Sequence, residues 1–176
     1  IVVGPARETD RDILDFMRNC YTRWNLRRVY YSAHVPVPGT PLESSPPVPL
    51  WRENRLYQAD WLVRFYGFSF DEIPTDSGGF FHRDADPKTV WAQLHPECFP
   101  LEINQAPVEL LMRVPGIGPQ AARRIAETRR FQKLREVRDL AAFRIPVRRA
   151  APWLLFDGRR RMRHCTQLSF DFDAPL

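Results

Sequence analysis

Gly116 and Gly118 flank Ile117 in the run Val114-Pro115-Gly116-Ile117-Gly118-Pro119. The chemistry this spacing offers is the holding of an oxyanion on backbone amides. Glycine lets a backbone approach a ligand where a Cβ would block it. Pro119 suits the first turn of a helix, because the N–H it lacks has no intrahelical partner there. The amides that follow, and the positive end of the helix dipole, then point outward as an anion site suited to a phosphate. Ile117 is the apolar anchor of the turn. Gln120, Ala121, Arg123, Arg124, Arg129, Arg130 and Lys133 follow on the second helix and just beyond it.

The elements needed to hold this turn can be read around it. Asn104 is expected to cap a helix from Pro107 to Arg113, which Pro115-Gly116 breaks, and the second helix starts at Pro119. Upstream, Ile1 to Gly4 reads as a buried strand. Thr9-Asp10 offers an N-cap for a helix to about Trp24, with Ile13, Leu14, Met17 and Tyr21 as its apolar face. Arg28 to Ser32 has the composition of a second strand, giving a βαβ unit. Two parallel strands leave open edges. With the initial Ile, they suggest a fragment whose missing N-terminal part supplies further strands. The prolines between His34 and Leu50 exclude helix; Trp51 to Tyr66 is an amphipathic helix built on Leu56, Ala59, Leu62, Val63 and Phe65, its aromatics assigned to packing. Residues 71–87 form a loop, and Pro87 to Leu94 a short helix.

The fold class expected is mixed α/β, an N-terminal βαβ remnant followed by a mainly α-helical domain. The units are 1–45, the βαβ remnant; 46–100, a proline-rich linker and helical connecting region; 101–150, the helical module of the glycine turn; and 151–176, a tail.

Charge is unevenly spread. Residues 1–112 carry 11 basic and 15 acidic side chains, whereas residues 113–163 carry 15 and 4. Concentration of one sign favours a polyanion, since neutralised phosphates release counterions; a solvated basic face is the alternative. No run approaches the roughly 18 apolar residues of a bilayer span, and no secretion signal opens the chain, so no membrane partner and a cytoplasmic location are expected. Cys20, Cys98 and Cys165 are too few and too scattered for a disulfide framework.

The stretch from Ile103-Asn104-Gln105-Ala106-Pro107 to Ile125 resembles the helix-hairpin-helix family. The resemblance implies DNA binding without strong sequence preference. The amides of Gly116, Gly118 and Ala121 would hold a phosphate, and the carbonyls of Met112, Val114 and Ile117 a monovalent cation bridging to it. The wider chain resembles the C-terminal part of a radical S-adenosylmethionine family associated with DNA modification or repair. Val2-Val3-Gly4 with Glu8-Thr9-Asp10, Arg28 to Ser32, Pro36 to Leu42 and Arg55 to Leu62 carry that resemblance. It implies that residues 1–45 are the remnant of a partial β/α barrel, with residues 101–150 as its DNA-binding domain, and a 4Fe–4S cluster and S-adenosylmethionine in the full-length family, with Glu8 or the loop after Ser32 near a nucleoside. The cluster's Cys-x-x-x-Cys-x-x-Cys run is absent here. This chain alone is therefore expected to be non-catalytic and to position a catalytic half that it lacks.

Other readings attach to particular residues. A helix-hairpin-helix glycosylase of the lyase type would place a lysine where Gln120 stands and an aspartate near Asp139. His95, Cys98, His164 and Cys165 offer a thin metal set. Gln167 to Phe172 is similar to peptides that enter the replication sliding clamp, which makes a protein-docking role the main alternative.

Overall fold

The computed structural model describes residues 1–159. Two lobes each enclose a hydrophobic core. In the first, β1 (Val2–Val3), α1 (Asp10–Thr22) and β2 (Ser32–Ala33) form the expected βαβ unit, with the strands parallel and Val2 opposite Ser32. Thr9 caps α1 in a reciprocal capping box with Asp12. β2 begins later than the composition suggests, because hydroxyl groups take the preceding backbone: Val29 N–H donates to Tyr21 Oη, and Tyr31 exchanges both backbone groups with Tyr57 Oη. The sheets of the described residues are two parallel strand pairs.

α2 (Leu50–Phe65) closes this lobe and stops at Tyr66, before Gly67 in the left-handed region at φ 73°. Leu56, Ala59 and Leu62 are buried against Val3, Leu14 and Met17, so residues 46–100 share one core with the βαβ unit. Phe65, expected inward, is exposed, and the inward positions the pattern omitted are polar: Arg52 and Asp60. Asp10 is fully buried, accepting from Arg52 Nε at 2.6 Å and from the Phe81 amide at 2.9 Å. Burial pushes its carboxyl upward against those two contacts. The pair thus fixes the register of α1, α2 and the Phe80–Phe81 loop. Asp60 binds Tyr21 Oη and Arg64 in the same manner.

α3 (Pro87–Leu94), capped by Asp86, leads to the second lobe. There β3 (Leu101–Glu102), α4 (Val108–Leu111), α5 (Pro119–Thr128), α6 (Val147–Ala150) and β4 (Leu154–Leu155) surround Ile103, Leu111, Val114, Ile117, Ile125 and Leu140. β3 and β4 pair in parallel, Leu101 opposite Leu154, although 53 positions separate them. The chain after Ala150 does not leave as a tail: β4 and the fully buried Phe156 complete the core. No helix among the described residues is long and apolar enough to cross a membrane.

Candidate nucleic-acid interface

α4 is a single turn, and Asn104 does not cap it. The Asn104 side chain instead grips Leu134, accepting from its N–H and donating to its carbonyl, each at 2.9 Å. It clamps the entry to α4 against the chain beyond α5. The turn between the helices is fixed by Ile117 N–H on the Val114 carbonyl at 3.0 Å, with both side chains buried.

The two glycines differ. Gly116 has φ 87°, a region that L side chains rarely adopt, and a Cβ there would meet Arg149 and Ala150 of α6 at 3.5–3.6 Å. Gly118 is the N-cap of α5 with an ordinary φ of −92°. Its contribution is close approach, since a Cβ would come within 3.4 Å of Tyr66 Oη. Gly116, Gly118, Gln120 and Ala121 carry amides that reach no acceptor among the described residues. They open onto a polar depression of about 500 Å³, lined also by Arg124, Phe143, Arg144 and Ile145.

The basic side chains sort by their partners. Arg123 and Arg130 are exposed. Arg124 leans over the Phe143 ring and donates to the Ala142 carbonyl at 3.1 Å, at the edge of the depression. Arg129 turns inward and donates to the carbonyls of Ile103 and Ala106 at 2.9 and 2.6 Å, which makes it a brace of the α4 entry. Lys133 lies 3.6 Å from Asp157. Arg144 and Arg149 were not singled out in the sequence, although both fall in its basic block. They reach the hairpin through a fold-back that spacing does not reveal.

Lys88 was also missed. It reaches from α3 to donate to the Ile117 carbonyl at 2.6 Å, lies 4.6 Å from the Tyr66 ring centre and is 5% exposed. Burial, with repulsion from Arg149 and Arg113, pushes its ammonium down to about 7 against the pull of Asp86. Of the three carbonyls expected to hold a cation, Ile117 therefore faces this ammonium and Val114 accepts from Ile117 N–H. The lobes are joined by further polar contacts: Arg149 to Asp86 at 2.5 Å, and Arg113 to Glu72.

Residues 100–144 match the family model of the helix-hairpin-helix motif. A helix-hairpin-helix motif supports nucleic-acid binding and points to DNA as the partner. Comparison with curated proteins and comparison with solved structures yield no match.

The residues tied to other chemistry are occupied locally. The amide of Gln120 stands where a lyase would need an amine, and Asp139 caps a 3-10 turn by accepting from the amides of Arg135 and Glu136. Glu8 accepts from the amides of Gly4 and Ala6. His95 contacts Glu97, and among the described residues no three His, Cys, Asp or Glu side chains form a metal-holding group. His164, Cys165 and the stretch Gln167 to Phe172 lie outside the described residues.

Proposed function

We propose that this chain binds DNA through the sugar-phosphate backbone with little sequence preference. The observation that carries this reading is the set of four unpartnered amides at the hairpin, facing a depression edged by Arg124 and Arg144. A phosphate oxygen satisfies such amides, and the α5 dipole favours its charge. Phosphate contacts position a protein without reading base edges, so affinity is sequence-tolerant. Arg123 and Arg130 extend the contact; Arg129 and Lys133 support it indirectly. Fluorescence anisotropy on unrelated DNA sequences across a salt series tests this. Log affinity is expected to fall with log salt by about 0.9 per phosphate neutralised, and the G116A/G118A pair to abolish binding. Equal affinity in that pair, with the fold intact, overturns the reading in favour of protein docking.

The place that a monovalent ion would take at the Ile117 carbonyl is taken, in this reading, by Lys88 Nζ, which already donates to it. The larger role is placement on DNA of a modification or repair activity from a radical S-adenosylmethionine half, supported by the resemblance of the first lobe. The residues present do not fit a 4Fe–4S cluster: Cys20 is buried on α1, Cys98 follows α3, and the three-cysteine run is missing from the sequence. S-adenosylmethionine cleavage by the purified chain would refute the non-catalytic assignment. A peptide spanning residues 164–176 that fails to bind a sliding clamp would remove the docking role of the C-terminal stretch.

A further inference from the structure

The hairpin is a ridge between two depressions. One holds the free amides. The other is a cleft of about 630 Å³ between α2 and the hairpin, lined by Gly116 and Gly118 as well. Its volume falls within the roughly 300–1,000 Å³ of small-molecule sites.

The α2 wall presents Tyr57 and Trp61, one turn apart and on the same helix face. Tyr57 is held rigidly, because its hydroxyl bonds both backbone groups of Tyr31 at 3.0 Å. Trp61 is braced edge-on by Phe65 at 5.6 Å yet is 52% exposed, a large aromatic surface without a protein cover. Arg28 and Arg149 bring positive charge to the lining, Arg149 in a 2.5 Å ion pair with Asp86, which lines the cleft as well, and Gln58 supplies a donor and an acceptor. Aromatic faces beside a cationic rim suit a nucleobase carried on a phosphate chain. A base paired within a duplex has its faces covered by its neighbours, so the guest must be unstacked.

We propose that this cleft receives one unstacked nucleotide of a DNA strand whose backbone is held at the hairpin, with its base against Trp61 and Tyr57. The inference rests on the backbone-binding reading and adds a ligand class to it. An unstacked nucleotide can come from a single strand or from a bulge in a duplex, and the base chemistry is the same.

The test places 2-aminopurine at the centre of a single strand, in a one-nucleotide bulge and in a perfect duplex, and titrates each with wild-type protein, W61A, W61F and G116A/G118A. The wild type is expected to bind a substrate with an accessible base on the order of ten-fold more tightly than the duplex, with a change in aminopurine emission. W61A is expected to bring that ratio toward one, and W61F to restore most of it. Preference for the bulge alone identifies an extruded base, and preference for the strand alone a single-stranded guest. A wild-type ratio near one, or a ratio unchanged in W61A, overturns the cleft assignment. Unaltered binding of all three substrates by G116A/G118A overturns the hairpin reading instead, so the two failures are distinguishable.

Discussion

In the first lobe Arg11, Arg52, Arg55 and Arg64 all donate to carbonyls or carboxylates of that lobe. In the hairpin module the guanidinium groups of Arg123, Arg130, Arg144 and Arg148 reach no acceptor among the described residues, and all four residues are exposed. Both lobes also keep exposed arginines that reach no acceptor among the described residues, Arg7, Arg23 and Arg27 in the first, and what separates the lobes is the charge around those groups: residues 1–112 carry 15 acidic against 11 basic side chains, and residues 113–163 carry 4 against 15. Internally bonded arginine in the first lobe specifies geometry; exposed arginine in the second, amid a surplus of its own sign, is available to a polyanion. Subtracting internal partners removes Arg129 from the contact surface and leaves Arg144 on it.

The contrast can be broken most severely at Asp10. D10A strands the Arg52 charge and the Phe81 amide, and is expected to cost about 3–5 kcal/mol in urea denaturation. DNA affinity of the folded fraction is expected to hold, and a matching loss of affinity would mean that the lobes do not divide their labour. Lys88 sits where they meet. Its ordinary value of 10.5 applies to the unfolded chain, and about 7 to the folded one. Between those values the unfolded chain carries the extra proton, so stability rises with pH from about 7 to about 10.5, by roughly 2–4 kcal/mol once the Ile117 contact is allowed for. K88M is expected to lack that slope when denaturation midpoints are compared from pH 7 to 10.

Smaller effects sharpen the hairpin side. G116A alone forces a Cβ into the left-handed region and is expected to lower stability by about 1–2 kcal/mol, read as a shift of the thermal midpoint. R144Q leaves the fold untouched. Its expected signature is a salt slope shallower by about 0.9, with weakening that is uniform across DNA sequences; an unchanged slope would take Arg144 off the contact surface.

What the sequence disclosed was local. Thr9 as a cap, Gly67 as the stop of α2, the break at Gly116 and the start of α5 at Pro119 are each set by one residue's own stereochemistry. The free amides of the hairpin follow from the same local signals. Asn104 was misread because capping and clamping use the same amide, and only the position of Leu134 decides between them. Lys88 looks like a surface residue of a short helix until α3 packs on the hairpin and drives its ammonium onto Ile117. β3 and β4 are invisible for a related reason: each is two residues long, too short for alternation, and depends on a partner 53 positions away in the chain.

That last pairing has an architectural consequence. Leu101 and Leu154 are neighbours in a ladder, so the chain enters and leaves the hairpin module through adjacent strands, about 5 Å apart. Because these strands run parallel, the chain enters at one end of the short ladder and leaves at the other, heading the same way. Spliced into an unrelated host, the unit would ask for two close anchor points whose chain directions agree, as in neighbouring parallel strands, and not for the opposed ends of a hairpin loop. The graft must run past residue 144 to Phe156, since a cut at the end of the motif leaves the ladder unmade and Ile103 open to water.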